Sequence, residues 1–136
     1  MDDTQKTHFA PTGPGIGAHW TSSAKTGVGT ALSIQSHVWF TLSKGIFTEN
    51  YYPRLDQASV RDMGLIVTAG ADFFSEEKRD ASHKVEWLAD GVPAFRLVNT
   101  CREGRYRIEK QIVTDPQRDT VLQQVRFITQ HGALAD

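Results

Sequence analysis

Four stretches in the second half of the chain constrain its fold most: "SHKVEWLAD" (82–90), "AFRLVNTC" (94–101), "RYRIEKQIVT" (105–114) and "TVLQQVRFIT" (120–129). Each alternates apolar and polar residues with a period of two, the spacing by which a strand sends successive side chains to opposite faces. His83, Val85 and Trp87 share one side, as do Phe95 and Leu97. Tyr106, Ile108 and Ile112 are inward against Arg107, Glu109 and Gln111, and Val121, Val125 and Phe127 align. Turn signals stand between the runs: Asp90-Gly91, Glu103-Gly104 and Asp115-Pro116. Short strands at this spacing predict an all-β, antiparallel β-sandwich rather than a parallel sheet. No stretch presents a helical face longer than two turns.

The first half carries the same pattern more weakly. Val28, Thr30, Leu32 and Ile34 alternate with Gly29, Ala31 and Ser33, and Gln35-Ser36 reads as a hairpin break before "HVWFTL" (37–42). "GIFTENYY" (45–52), "MGLIVTAG" (63–70) and "DFFSEE" (72–77) follow as further strands. Residues 1–19 hold Pro11, Pro14 and glycines at 13, 15 and 17, which predicts an extended, flexible leader outside any ladder. "TVLQQVRFIT" comes so near the last residue that the sandwich is expected to be incomplete, with an open sheet edge.

Composition excludes several classes. Across 136 residues, 15 basic side chains face 16 acidic ones. That balance gives no electrostatic reason to expect nucleic acid or a membrane surface as partner. No run approaches the length of a membrane span, and the acidic N-terminus has no apolar signal region, so a cytoplasmic location is expected, with a secreted parent left open. Cys101 is the single cysteine and lies in phase with Phe95 and Leu97, as a small buried hydrophobe would. The histidines at 8, 19, 37, 83 and 131 show no ligand spacing, so neither a metal nor a cofactor is expected. "GPGIG" (13–17) and "GVG" (27–29) lack the strand before and helix after that a nucleotide loop requires. Trp39 and Trp87 read as core. In "FFSEEKRD" (73–80) a phenylalanine anchors a strand end, and Glu76, Glu77, Lys78 and Arg79 read as a solvated face.

The stretch "TENYYPRLDQASVRD" (48–62) differs from these. Pro53 cannot donate to a ladder, so a strand ends or becomes an edge there. Tyr51 and Tyr52 point to opposite faces. The Arg54 guanidinium offers a planar fork of donors that Asp56 or a ligand can accept. Such a corner suits a polyol ligand and equally suits an internal salt-bridge network.

"WTSSAKTGVGTALSIQSHVWFTLSKGIFTENYYPRLDQASVRDMGLIV", "FFSEEKRD" and "IVTDPQRDTVLQQVRF" together resemble the N-terminal domain of bacterial glucoamylases and glucodextranases, from Trp20 to Asp136. The resemblance implies a partial sandwich over 20–136 that precedes a helical catalytic barrel, itself absent here. It also implies a parent that releases glucose from α-glucans with inversion. Inversion needs acid and base carboxylates roughly 6.5–9.5 Å apart. The family keeps both in the barrel, so Glu49, Asp56, Asp62, Glu76 and Glu77 inherit no catalytic role. The implied partners are the barrel of the parent chain and, through it, an α-glucan. The implied interdomain or cleft-rim residues are Tyr51, Tyr52, Arg54, Asp56, Arg61 and Asp62. Two other readings remain: a stand-alone carbohydrate-binding module, which would display exposed aromatic rings, and a self-contained glycosidase, which would place two carboxylates across a pocket.

Overall fold

The computed structural model describes residues 24–130; the expected leader, Trp20, "GPGIG" and three of the five histidines lie outside them. The fold is an antiparallel β-sandwich. One sheet runs in the order β1-β2-β3-β4, from Gly27–Thr30, Trp39–Ser43, Ile46–Tyr51 and Ala58–Met63. A two-stranded ribbon joins β5 (Ile66–Ala69) to β6 (Phe73–Glu76), and the four-residue helix α1 (Glu77–Asp80) follows. The second sheet has the order β10-β9-β8-β7, from Ala81–Trp87 (β7), Phe95–Cys101 (β8), Tyr106–Thr114 (β9) and Val121–Thr129 (β10).

The long strands β8 and β9 span two apolar clusters side by side. Toward one end, Phe95, Leu97 and Ile112 pack against Phe40, Leu42 and Phe47 of the first sheet. Toward the other, Cys101, Tyr106 and Ile108 pack against Phe73 of the ribbon, with Leu65 and Val67 beside them. The inward phase read from the sequence is therefore the core face. Burial of each large side chain contributes about 1.5–3 kcal/mol, and the aromatic pairs Phe40–Phe47 and Tyr106–Phe127 stack with centroids 5.5 Å apart.

Several expectations are corrected. The alternation from Val28 to Ile34 is not one strand. β1 ends at Thr30, and residues 31–38 form a loop in which Ile34 is 94% exposed. In β1 the inward positions belong to Gly27 and Gly29, because the Phe40 ring fills the space where a Gly29 side chain would sit. Val28 faces outward instead. The tight hairpin lies one strand later, at Lys44-Gly45, where both residues adopt positive φ (48° and 68°), as a two-residue turn matched to strand twist demands. The second part of the 48–62 corner is a strand, β4, which pairs Arg61 with Glu49 and Val60 with Asn50. Trp87 has the inward phase, opposite Phe95, but stands at the end of edge strand β7 and is 59% exposed; Trp39 is half-buried.

Tyr106 offers a pH handle on this core. Burial raises its phenol above the ordinary 10.0, partly opposed by the hydrogen bond it shares with Ser75 Oγ at 2.7 Å. A group whose folded pKa is raised stabilises the fold fully below its unfolded value and loses that contribution as pH rises through the folded value. Stability should therefore decline above pH 10, and Tyr106→Phe should lose less than the natural chain over the same alkaline range in parallel denaturant titrations. Equal declines would exclude Tyr106 as a source.

Candidate functional site

The corner divides into three polar groups rather than one. On β3, the Tyr51 hydroxyl donates to Glu49 Oε2 at 2.7 Å, and the same oxygen accepts from Lys25 Nζ at 2.9 Å and Thr41 Oγ1 at 3.1 Å. The hydrogen bond to this carboxylate, then burial and its charge, raise the Tyr51 pKa. The loop beyond closes on itself through Tyr52 N–H to the Gln57 carbonyl and Gln57 N–H to the Arg54 carbonyl, each at 3.0 Å. Within it Arg54 pairs with Asp56 at 2.9 Å, with side chains 71% and 65% exposed, and Tyr52 is largely exposed as well. The pair is thus solvated. It is the internal pair that the sequence allowed, in a solvated form, and an exposed pair stabilises a fold little. Arg61 is exposed on β4. Asp62 turns away: at φ 52° it reaches Lys78 Nζ, 2.6 Å distant.

That last contact leads to the polar centre that sequence reasoning missed. Glu77, expected on a solvated face, is fully buried. Its Oε2 accepts from Lys110 Nζ at 2.6 Å and from the Leu65 N–H at 2.9 Å, while Oε1 accepts from Asn99 Nδ2. Asn99 also donates to the Gly45 carbonyl at 2.7 Å, and its Oδ1 meets His83 Nδ1 at 2.9 Å. His83 Nε2 lies 3.1 Å from the Lys78 carbonyl. The signal lay in the alternation itself. Phe73, Ser75 and Glu77 share one phase, as do Leu97, Asn99 and Cys101, and Ile108, Lys110 and Ile112. Asn99 and Lys110 each separate a residue of one apolar cluster from a residue of the other. The node therefore fills the seam where the first sheet and the ribbon meet over the second sheet, and it joins α1, β7, β8, β9 and the β2–β3 turn. Its groups bond to one another and to the backbone, so the arrangement fixes the sandwich rather than aiming a side chain at a ligand.

A surface cleft of about 630 Å³ lies beside the node, lined by Lys44, Glu76, Lys78, Arg79, His83 and Arg102. Glu76 is its single carboxylate and is held by Arg79 Nε at 2.6 Å. Three further clefts on the described surface hold at most one carboxylate each, Glu109 or Asp119. None of the four presents the facing pair that glycoside hydrolysis requires.

Comparison with known proteins covers nearly the whole chain. Residues 10–135 match the family described as "Glucodextranase, domain N". A glucoamylase from Clostridium sp. (strain G0005) is 43% identical over 127 residues, which are 93% of this chain and 18% of that protein. The crystal structure of a bacterial glucoamylase complexed with acarbose superposes with a TM-score of 0.84 at 43% identity, over 92% of this chain and 18% of that one. The chain thus spans under a fifth of the length of these relatives.

Proposed function

The chain belongs to the glucodextranase domain N family, and from that membership we propose that it serves as the non-catalytic β-sandwich of a glucoamylase-type enzyme. In this reading it supports a helical catalytic barrel that releases glucose from the ends of α-glucans with inversion. The observation that carries the reading is the close match, at 43% identity and a TM-score of 0.84, to only 18% of a glucoamylase. The clefts support it too, since no pair of carboxylates faces across any of the four.

In the same reading the corner docks on the catalytic part. Tyr52 and Arg54 project into solvent from a loop closed by its own backbone, and exposed Tyr and Arg are the residues that anchor interfaces once covered. Tyr51, Asp56, Arg61 and Asp62 brace or flank that loop. In the longer enzyme, Tyr52→Ala with Arg54→Ala should lower the melting temperature or raise KM, while leaving the melting of 1–136 unchanged. A fall in kcat/KM with no thermal change would assign the corner to sugar contact instead. No change in either property would reduce it to a surface turn.

A second reading, as a carbohydrate-binding module, rests on the exposed Trp87 indole, which leans on Phe95 with ring centroids 5.1 Å apart. Saturable quenching of tryptophan fluorescence by maltooligosaccharides, abolished by Trp87→Ala, would favour it.

A further inference from the structure

The chain carries a net charge of −1, yet the largest of its four described clefts is cationic. Lys44, Lys78, Arg79 and Arg102 line it against one carboxylate, Glu76. These cations divide into two pairs. Lys78 is held by Asp62 and Arg79 by Glu76, each at 2.6 Å. Lys44 and Arg102 have no acidic partner and no side-chain hydrogen bond among the described residues. The two acids of α1 are engaged elsewhere: Glu77 in the node, and Asp80 accepting from the Glu76 N–H at 2.7 Å.

The backbone places both free cations. Lys44 occupies the first position of the β2–β3 turn at φ 48°, a left-handed conformation that favours glycine, asparagine or aspartate. A lysine there meets a steric cost, and no side-chain contact among the described residues offsets it. A bound anion supplies that contact. Arg102 follows β8, and its N–H donates to the Asp80 carbonyl at 3.0 Å, which ties it to α1. His83, in the same wall, is fixed from both ring nitrogens by Asn99 Oδ1 and the Lys78 carbonyl. The wall is thus set before any ligand arrives, so little ordering opposes binding. Lys44 and His83 also line a second cleft of about 520 Å³, which includes Thr26, Ser43 and Val85.

We propose that the cationic cleft binds a phosphate group. Two unpaired cations match the roughly two negative charges of a phosphate near neutral pH, whereas a carboxylate brings one. The Arg102 guanidinium can take two phosphate oxygens through its planar fork, and Lys44 adds a point charge on a flexible stem. The adjoining cleft offers the hydroxyls of Thr26 and Ser43 beside Val85, a surface suited to the polyol body of a sugar phosphate.

Isothermal titration calorimetry of 1–136 with inorganic phosphate should show saturable binding that chloride at equal ionic strength does not reproduce. Lys44→Asn should weaken it by about ten-fold or more, the scale of one charge-assisted hydrogen bond. Asparagine suits the turn, so this variant should melt no lower than the natural chain. Arg102→Gln should weaken binding by a similar factor. Lys84→Gln is the control, because Lys84 pairs with Glu86 on β7 outside the cleft, and binding should not change. Glucose 6-phosphate binding tighter than inorganic phosphate identifies a sugar phosphate as the ligand, and equal affinities identify the free ion. Either result upholds the site. No saturable binding overturns the proposal, as does full binding by both Lys44→Asn and Arg102→Gln. Binding weakened as much by Lys84→Gln as by Lys44→Asn also overturns it, by reducing the cleft to unspecific surface charge. The proposal stands apart from the functional reading, since neither glucose release nor the longer enzyme enters the test.

Discussion

Lys110→Met should be among the most damaging single substitutions in the chain, although it replaces a charge with an apolar side chain in a core. Lys110 and Glu77 are both fully buried, and the ammonium lies 2.6 Å from Glu77 Oε2. Removing it leaves a carboxylate out of water with only neutral donors, Asn99 Nδ2 and the Leu65 N–H. Breaking a buried pair in this way costs about 3–5 kcal/mol, against a total stability of about 5–15 kcal/mol for a domain. The midpoint of thermal unfolding should fall by something on the order of 15 °C. Glu77→Gln in the same background removes the stranded charge while keeping an oxygen for one of the two donors, the Leu65 N–H or Asn99 Nδ2. The double variant should therefore regain at least about half of the loss, a coupling of about 0.5–3 kcal/mol. Additive losses from the two substitutions would show that the pair does not act as one unit.

Gly45→Ala should cost about 2–5 kcal/mol through two separable causes. The residue sits at φ 68°, where a Cβ costs roughly 1–2 kcal/mol. A Cβ there would also run into Asn99 Oδ1 and His83 Nδ1, and overpacking of this kind adds about 1–3 kcal/mol. Gly91 is the control. Its φ is 69°, yet nothing lies within 4 Å of a Cβ built on it. Gly91→Ala should show the backbone cost alone. Urea midpoints of the two variants measure the difference, and equal losses would mean that the turn does not press on the polar node.

These two predictions fall on residues whose importance was only half visible in the sequence. The long strands β7 to β10 were legible because their partners are regular: each alternates for seven or more residues, and the turns carry glycine or proline. β4 was hidden because it is an edge strand with a solvated outer face, where Ala58, Ser59 and Arg61 are exposed and only Val60 packs on the core. β1 misled for a different reason. Its inward residues are glycines that make room for the Phe40 ring, so the apolar side chains mark the wrong face. Lys110 was in phase with core residues on its own strand and Glu77 with those of β6 just before it, but a charge at an inward position becomes intelligible only once its partner, 33 positions away, is known. The corner was legible as something other than a plain turn; that its six residues split into three groups depends on the bend at Asp62 and on the length of β4, neither of which local composition encodes.

If this chain supports an α-glucan hydrolase without performing the hydrolysis, the difference should appear in a single assay. Purified 1–136 and the longer enzyme are incubated with maltooligosaccharides and dextrin under the same conditions, and free glucose is measured. Glucose is expected from the longer enzyme and none above the blank from 1–136. Glucose released by 1–136, and lost when a carboxylate of this chain such as Glu76 or Asp119 is replaced by its amide, would contradict the supporting role.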